Sequence, residues 1–371
     1  MTMQVPLSLP DLGDREIDAV TAVLKSRWLS MGPAVVEFER KFAEYLGVKY
    51  AVAVNSGTSG LHLAVRGLGI GKGDEAITTP FSFISSANCL LFEGARPVFA
   101  DIDPETLNID CSLIEGMISK NTKCILPVHI FGQPVDMSLI GSIASRHGLA
   151  VLEDSCEAVG ARHNGQLTGA QSDAAVFAFY PNKQITTGEG GMVVTNRDDL
   201  AGLLRSMRNQ GRDEGAGWYE HNRLGFNFRM DEMSAALGRA QLDRLPEILA
   251  KREWVAGKYT EKLNNLAGVS VPRIDPAVQM SWFVYVIRLD PRIDREFVSG
   301  ELAGRNIASR GYFWPIHLQP FFRKTFGYKP GDFPAAEAAG ASTLALPFYT
   351  NMPEEQIDYV VSNLADILGR F

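Results

Sequence analysis

Short hydrophobic runs alternate with amphipathic stretches through the first half of the chain. Runs typical of buried strands lie at 50–55, 75–79, 97–102, 124–130 and 149–153, with helical patterns between most of them. Strands separated by helices predict βαβ units and therefore a largely parallel sheet covered on both faces. Two further runs, 174–179 and 191–195, are joined only by a loop, so their pairing need not be parallel.

The second half of the chain has a different pattern. A long helical region, 231–266, is interrupted near Pro246, and a strand at 282–289 and a helix at 294–304 follow it. A loop rich in proline and aromatic residues then leads to an amphipathic helix at 354–368. This change predicts a large domain over 1–245 and a smaller C-terminal domain over 246–371, with the N-terminal segment free to pack against the smaller one.

Length and charge narrow the class of protein. The chain has 371 residues, 36 Lys and Arg against 43 Asp and Glu, and a formal net charge of −7. This balance argues against a nucleic-acid protein held by phosphate contacts, although a local basic pocket stays compatible with it. No apolar stretch reaches about 18 residues, and the N-terminus lacks the pattern of a signal peptide, so we expect a cytoplasmic protein without a membrane partner.

Cysteine and glycine usage adds two expectations. The four cysteines show no CxxC spacing, so neither a metal site nor a disulfide framework is expected. Glycine, with 35 residues, exceeds the usual share of about 7%. Several of these glycines cluster in two loops that also carry polar side chains, and those loops are the first candidates for chemistry.

The first candidate is the turn after the first strand, at 55–60. Gly57 and Gly60 allow close backbone approach, and Thr58 and Ser59 offer hydroxyl groups and amides at the start of a helix. Such a turn can bind a phosphate. An ordinary strand-to-helix turn with a hydroxyl cap is the alternative interpretation.

The second and third candidates are an acid and a lysine. Asp154 ends a hydrophobic strand, where it could pair with a protonated ring nitrogen, bind a metal or cap the next helix. Lys183 lies in a loop followed by Gly188, Gly190 and Gly191, and could act as an amine nucleophile or be an exposed lysine in a hairpin. A phosphate turn, an acid and a lysine together suit pyridoxal 5′-phosphate (PLP).

In this order the motifs resemble the DegT/StrS family of PLP-dependent nucleotide-sugar aminotransferases, in particular its perosamine-synthase-like members. Further matching stretches lie at 28–33, 97–103, 224–230 and 315–320, so the resemblance covers nearly the whole chain. It implies the α/β fold of fold-type I PLP enzymes, with a mostly parallel mixed sheet in the large domain and a smaller C-terminal α/β domain.

The resemblance also implies roles for the cofactor site. Lys183 would bind PLP covalently and later move a proton between cofactor and substrate carbons, and Asp154 would keep the pyridine nitrogen protonated. The phosphate would be held by three residues of the turn: Gly57, Thr58 and Ser59. Phe83 would stack on the ring, or else be a core aromatic. Asn227 would reach the phosphate of a neighbouring subunit, which implies a homodimer with shared active sites.

Two positions depart from the common family pattern. Many members carry a phosphate-binding serine where this chain has Ala178, so one hydrogen bond needs another donor or a water. Glu157 stands where a glutamine that contacts the phenolic oxygen is frequent. A carboxylate facing a phenolate is repulsive unless it is protonated or paired with a cation, so the contact of Glu157 with the cofactor is open.

For the substrate, the resemblance suggests contacts from Trp314, His317 and Arg229. His317 could instead be a satisfied loop histidine, and Arg229 could pair with Asp231 or Glu232. The implied reaction, in polysaccharide biosynthesis, converts a nucleotide-linked keto-sugar to an amino sugar with L-glutamate as donor.

Three functions are compatible with these motifs. The sequence at 182–191 favours a 4-keto-6-deoxy sugar. A 3-keto-sugar or cyclitol aminotransferase is the alternative. A non-catalytic PLP-binding regulator is the third, and the intact lysine, aspartate and turn argue against it.

Overall fold

The computed structural model of the chain describes residues 3–215, 217 and 219–371. Its helices are α1 Asp14–Ser26, α2 Pro33–Leu46, α3 Gly57–Gly67, α4 Ser85–Leu91, α5 Cys111–Ile114, α6 Met137–His147, α7 Asp198–Arg208, α8 Glu232–Asp243, α9 Leu245–Leu263, α10 Arg295–Gly304, α11 Pro320–Phe326, α12 Pro334–Ser342 and α13 Glu354–Leu368. Its strands are β1 Tyr50–Val54, β2 Glu75–Thr78, β3 Arg96–Phe99, β4 Thr122–Ile125, β5 Ala150–Asp154, β6 Arg162–His163, β7 Gln166–Leu167, β8 Ala174–Ala178, β9 Gly191–Thr195, β10 Val269–Ser270, β11 Val278–Gln279, β12 Tyr285–Leu289 and β13 Thr343–Leu346.

A seven-stranded sheet, ordered β1-β9-β8-β5-β4-β2-β3, forms the larger part of the fold. Strands β8, β5, β4, β2 and β3 pair in parallel, as helical crossovers between strands require. Strand β9 runs antiparallel to both β1 and β8, with Ala175 opposite Val194. The predicted α/β class is therefore confirmed, and the two strands joined only by a loop are antiparallel.

Helix α3 begins earlier than the pattern predicts. The turn predicted at 55–60 already contains the start of α3, whose first residue is Gly57. Ser56 caps this helix, because its Oγ accepts a hydrogen bond from the backbone N–H of Ser59 at 3.1 Å. The hydroxyl cap and the helix N-terminus are thus one feature, placed directly after the edge strand β1.

The long helical region divides at Arg244 into α8 and α9. Pro246 lies in the first turn of α9, where its missing N–H costs no hydrogen bond. Helices α9, α10 and α13 pack with the antiparallel sheet β10-β12-β13 around a core that includes Tyr259 and Tyr285. The predicted domain boundary near 245 stays a prediction.

The N-terminal segment lies against C-terminal elements. Val5 forms a parallel bridge with Ile307, and the carbonyl of Leu7 accepts a hydrogen bond from the Phe348 N–H at 2.9 Å. Val5 is buried in the same core as α9 and α13. The N-terminal segment therefore contacts elements that follow residue 245.

Two features are absent from the part of the chain that the structure describes. There, no helix combines the length and the apolar character that crossing a membrane would need. The same residues contain no group of three or more His, Cys, Asp and Glu side chains placed to hold a metal ion. The four cysteines are free thiols.

Candidate active site

A cavity of about 540 Å³ lies where strands β5 and β8 end. Parallel strands bring their carboxyl ends to one edge of a sheet, so residues that are distant in sequence meet there. The predicted cofactor residues that line the cavity are Gly57, Thr58, Phe83, Asp154, Glu157 and Lys183. The cavity also contains residues that sequence reasoning missed: Ser85, Ser86, Asn182, Phe283, Tyr312 and Phe313.

The N-terminus of α3 forms one wall of the cavity. A Cβ atom at Gly57 would lie 2.7 Å from the Cβ of Ala178, and one at Gly191 would lie 2.8 Å from the backbone of Ser56. Both glycines are therefore required for the helix start to pack on β8 and β9. Because the first N–H groups of a helix have no partner within it, this wall offers donors to an anion.

Two hydroxyl groups extend this wall. The Oγ1 of Thr58 lies 2.7 Å from the Oγ of Ser85, the first residue of α4. Ser59 is turned toward the cap, where its Oγ lies 3.0 Å from the Oγ of Ser56. Ser85 is thus a hydroxyl donor in a cavity that lacks one at Ala178.

Asp154, the last residue of β5, is held at both carboxylate oxygens. Its Oδ2 accepts a hydrogen bond from the Ser86 Oγ at 2.7 Å, and its Oδ1 accepts one from the Cys156 N–H at 3.1 Å. The side chain is almost fully buried yet lines the cavity. Residues 155–161 contain no helix, so the contact with Cys156 closes a turn and is not the helix cap considered as an alternative; the carboxylate still lines the cavity.

Lys183 is not an exposed hairpin lysine. Its Nζ lies 3.6 Å from the Oε1 of Glu157 and 3.8 Å from the centre of the Phe283 ring. Its side chain is only 12% exposed. The amine is therefore enclosed by an acid and an aromatic face inside the cavity, which is the environment of a functional lysine.

Glu157 is buried beside this amine. Its Oε2 accepts a hydrogen bond from the Phe131 N–H at 2.8 Å. Burial raises the pKa of Glu157, while the positive charge of Lys183 opposes that rise. The carboxyl group thus has both features that would relieve repulsion from a phenolate: a raised pKa and a neighbouring cation.

Phe83 lies at the rim of the cavity. Its side chain is 61% exposed, whereas the nearby Phe81 is fully buried. The alternative in which Phe83 is a core aromatic is therefore not observed. An exposed ring at this rim has a free face for a planar ligand.

The three predicted substrate residues, Trp314, His317 and Arg229, lie outside the cavity lining, as do the predicted cofactor residues Ser59 and Asn227. His317 is fully buried, with its Nε2 3.0 Å from the Oε1 of Glu337. His317 is therefore not exposed to the cavity, and it is not fully satisfied either, because its Nδ1 has no hydrogen-bond partner; the substrate contact stays a prediction. Trp314 is 57% exposed at a shallow surface depression shared with Arg323 and Lys329.

Arg229 does not form the ion pair expected as its alternative. Its Nη1 donates a hydrogen bond to the Oδ1 of Asn209 at 3.0 Å. Asp231 instead caps α8, and Glu232 accepts hydrogen bonds from backbone N–H groups at the start of α2. Asn227, two residues earlier, is exposed and outside the cavity lining.

Comparison with known proteins identifies the family to which the chain belongs. The sequence profile of the DegT/DnrJ/EryC1/StrS aminotransferase family matches residues 10–365. The chain belongs to this family. It is 40% identical to the spore coat polysaccharide biosynthesis protein SpsC of Bacillus subtilis, covering 98% of this chain and 97% of the relative. It is 41% identical to the GDP-perosamine synthase of Caulobacter vibrioides, covering 98% of each.

Among solved structures, DesV of S. venezuelae superposes with a TM-score of 0.93 at 34% identity, covering 98% of each chain. Members of this family are PLP-dependent, and the protein is therefore a PLP-dependent aminotransferase. The recognised family and the predicted cofactor are thus both confirmed.

The residues of the cavity fit this cofactor. The start of α3, packed closely on β8 because residue 57 is glycine, presents its free N–H groups at the cavity wall, and Asp154 presents a fixed carboxylate. The Oδ1 of Asn182 is buried without a hydrogen-bond partner, so the cavity wall holds a polar atom that a ligand could satisfy. When bound, PLP supplies an electron sink that stabilises negative charge on the substrate carbon.

Proposed function

We propose that this aminotransferase transfers the amino group of L-glutamate to the ketone of a nucleotide-linked 4-keto-6-deoxy sugar. The observation that carries the proposal is the enclosed Lys183 amine in one cavity with Asp154 and the start of α3. The similarity to a GDP-perosamine synthase and the sequence at 182–191 support a nucleotide sugar and carbon 4. We further propose a cytoplasmic enzyme of polysaccharide biosynthesis.

Each residue has a defined task in this proposal. The Lys183 amine would bind the cofactor and would carry the proton between the two carbon atoms that exchange it. Asp154, held by Ser86 and Cys156, would accept a hydrogen bond from the protonated ring nitrogen. Gly57 and Thr58 would bind the phosphate, joined by Ser59 once its contacts with the Ser56 Oγ open, and the Ser85 hydroxyl would replace the serine missing at Ala178. Phe83 would cover the ring, and Glu157 would face the phenolic oxygen.

The substrate contacts are proposed at the surface beside this cavity. Tyr312 and Phe313 line the cavity, and the next residue, Trp314, lies at the surface depression. A sugar held in the cavity could therefore extend its diphosphate toward Arg323 and Lys329, where the exposed Trp314 ring offers a stacking face. For His317 the substrate contact stays a prediction, because the side chain is buried.

A homodimer is proposed from the surface around Asn227. Ser30 pairs with Asp231 through backbone hydrogen bonds, which brings 28–31 beside the segment that contains Asn227. The exposed apolar side chains of these two segments are Trp28, Leu29, Met31 and Leu224. Apolar surface of this kind is typical of a subunit interface. It would place Asn227 and Arg229 against the active site of a second copy.

The test is an assay with a panel of nucleotide-linked 4-keto and 3-keto sugars and a cyclitol ketone, each with L-glutamate. We expect an amino sugar with nitrogen on carbon 4, identified by NMR, and no product from the Lys183→Ala variant. Amination only at carbon 3, or only of the cyclitol, would replace the proposal with its alternative. No product from any ketone would contradict the nucleotide-sugar assignment.

A further inference from the structure

The aromatic side chains of the active-site cavity include a phenol that the proposed cofactor contacts leave unused. Five aromatic residues line the cavity: Phe83, Tyr180, Phe283, Tyr312 and Phe313. Only the two tyrosines carry a polar atom. Tyr180 is 53% exposed, whereas Tyr312 is half-buried. Tyr312 is therefore the residue that brings a hydroxyl group furthest into an otherwise apolar wall.

The ring of Tyr312 is held in place by its neighbours. It stacks on Phe313, with ring centres 4.9 Å apart and planes at 9°. It also lies 6.5 Å from the rings of Phe131 and Phe283, at interplanar angles of 20° and 6°. The backbone carbonyl of Tyr312 accepts a hydrogen bond from the Thr343 hydroxyl group. Because both the ring and the backbone are fixed, the hydroxyl group has a defined position in the cavity.

The hydroxyl group of Tyr312 keeps its hydrogen atom available for a ligand. Burial raises the pKa of Tyr312, and a hydrogen bond with the Asn182 side chain opposes that rise. A hydrogen bond lowers the pKa of a phenol when it is donated to the phenolic oxygen, so the Asn182 amide is the donor. In agreement, the Oδ1 of Asn182 is buried without a hydrogen-bond partner, so Tyr312 does not donate to it. The O–H of Tyr312 can therefore donate to an acceptor that a ligand supplies.

The groups around this hydroxyl place it between the Lys183 amine and the mouth of the cavity. On the inner side, the charge of Glu157 adds to the rise in the pKa of Tyr312, and the Glu157 Oε1 lies 3.6 Å from the Lys183 Nζ. On the outer side, Tyr180 and Arg310 also act on Tyr312, and both are exposed. A ligand that reaches the amine from solvent would therefore lie against this hydroxyl group.

Of the three ligands in the proposed reaction, the keto sugar suits this donor best. The polar atoms of PLP already have proposed partners at the start of α3, at Asp154 and at Glu157. The amino donor presents carboxylates, for which a cation is a stronger partner than a neutral phenol. The keto sugar brings several neutral oxygen atoms into the cavity, and leaving them without hydrogen bonds there would be costly.

We propose that Tyr312 is a substrate-binding residue whose hydroxyl group donates a hydrogen bond to an oxygen atom of the keto sugar. The inference rests on the proposed function, because it takes the amino acceptor to be a nucleotide-linked keto sugar. It confines the contribution of Tyr312 to the half-reaction in which the ketone is aminated. The half-reaction with the amino donor does not use this hydroxyl group.

The test measures the two half-reactions separately in the full-length enzyme, by stopped-flow absorbance of the cofactor in single turnover. The PLP form is mixed with L-glutamate, and the pyridoxamine phosphate form with a nucleotide-linked 4-keto-6-deoxy sugar. Tyr312→Phe removes the hydroxyl group and keeps the ring. We expect its second-order rate constant with the sugar to fall about tenfold, the effect of one lost hydrogen bond to the substrate. The rate constant with glutamate should stay within about twofold of wild type.

Tyr285→Phe is the matched control, because it removes a tyrosine hydroxyl outside the cavity lining. Tyr285 is fully buried, and its hydroxyl oxygen lies 2.8 Å from the Thr260 Oγ1. Both half-reactions should be unchanged in this variant. For Tyr312→Phe, a retained rate with the sugar, or an equal fall in both half-reactions, would overturn the proposal.

A second readout does not depend on turnover. The PLP affinity and the visible absorption maximum of the PLP form should be the same in Tyr312→Phe as in wild type. A change in either would place the hydroxyl group on the cofactor and overturn the proposal.

A failure of the proposed function would have a different signature. It would appear in the wild-type enzyme, as amination of a different ketone or of none, whereas a failure of this inference requires a wild-type rate that Tyr312→Phe retains. If the wild type aminates a 3-keto sugar, the same fall is expected with that sugar. If it aminates no keto sugar, the assignment of Tyr312 is overturned together with the function.

Discussion

The hydrogen bond from Ser86 to Asp154 is the contact of the proposed mechanism that a single substitution tests most directly. The Ser86 Oγ lies 2.7 Å from the Asp154 Oδ2, and both side chains are buried. A buried hydrogen bond to a charged group contributes about 2 kcal/mol, within a general range of about 1.5–3 kcal/mol. Ser86→Ala leaves the carboxylate with the Cys156 N–H as its remaining donor and frees it to rotate.

The loss should appear in both cofactor affinity and rate. If the variant loses all of this energy, about 2 kcal/mol, from the stabilisation of the transition state, the second-order rate constant of the half-reaction with glutamate falls about 30-fold. The assay is stopped-flow absorbance of the PLP band in single turnover, with a PLP titration followed by fluorescence.

Two further variants give the controls for this measurement. Ser86→Thr keeps the hydroxyl and should retain most of the rate. Ser82→Ala is the matched control, because the Ser82 Oγ donates to the Ser86 Oγ at 3.1 Å and does not donate to Asp154. A Ser86→Ala enzyme within twofold of wild type would refute the role given to this hydrogen bond.

Three other predictions follow from the same cavity. Asp154→Asn should lower turnover at least about 100-fold while circular dichroism shows an unchanged fold, since an amide cannot hold a protonated ring nitrogen; normal turnover would remove that assignment. Glu157→Gln should raise the melting temperature at neutral pH. Burial raises the folded-state pKa of Glu157. The stability that the protonated carboxyl group contributes is therefore complete below the unfolded pKa of 4.5 and is lost as the pH rises through the folded pKa. The difference in melting temperature between the wild type and Glu157→Gln should vanish below about pH 4, and a difference that persists there would contradict this origin. Ala178→Ser should tighten PLP binding about tenfold by adding a charge-assisted hydrogen bond; fluorescence titration showing no gain would mean that Ser85 already fills this place.

The parts of the site that local sequence predicts are those carried by short motifs. Asp154 ends a hydrophobic strand and Lys183 precedes a glycine-rich stretch, so strand topology alone brings them to one edge of the sheet. The glycines of the phosphate turn belong to the same category. The sequence predicts a turn where α3 begins, because a glycine at the first helical position is typical of a turn and the Ser56 cap is visible only in the structure.

The remaining residues depend on tertiary contacts. Phe283 reaches Lys183 only because Arg252 and Gln184 fix its segment, and no spacing in the sequence reports that approach. Ser86 follows Phe83 closely, yet its aim at Asp154 depends on how α4 packs beside β5. The burial of His317 also depends on tertiary contacts. A polar residue in a proline-rich loop is expected at the surface, whereas this histidine is buried against Glu337.

The most direct measurement is the site of covalent attachment of the cofactor. The holoenzyme is reduced with sodium borohydride, which fixes the bond between PLP and its lysine, and the digested protein is mapped by mass spectrometry. The enclosed amine beside Glu157 and Phe283 predicts that the added mass lies on Lys183, and that the Lys183→Ala protein carries none. Stoichiometric labelling of any other lysine would contradict the account of this cavity.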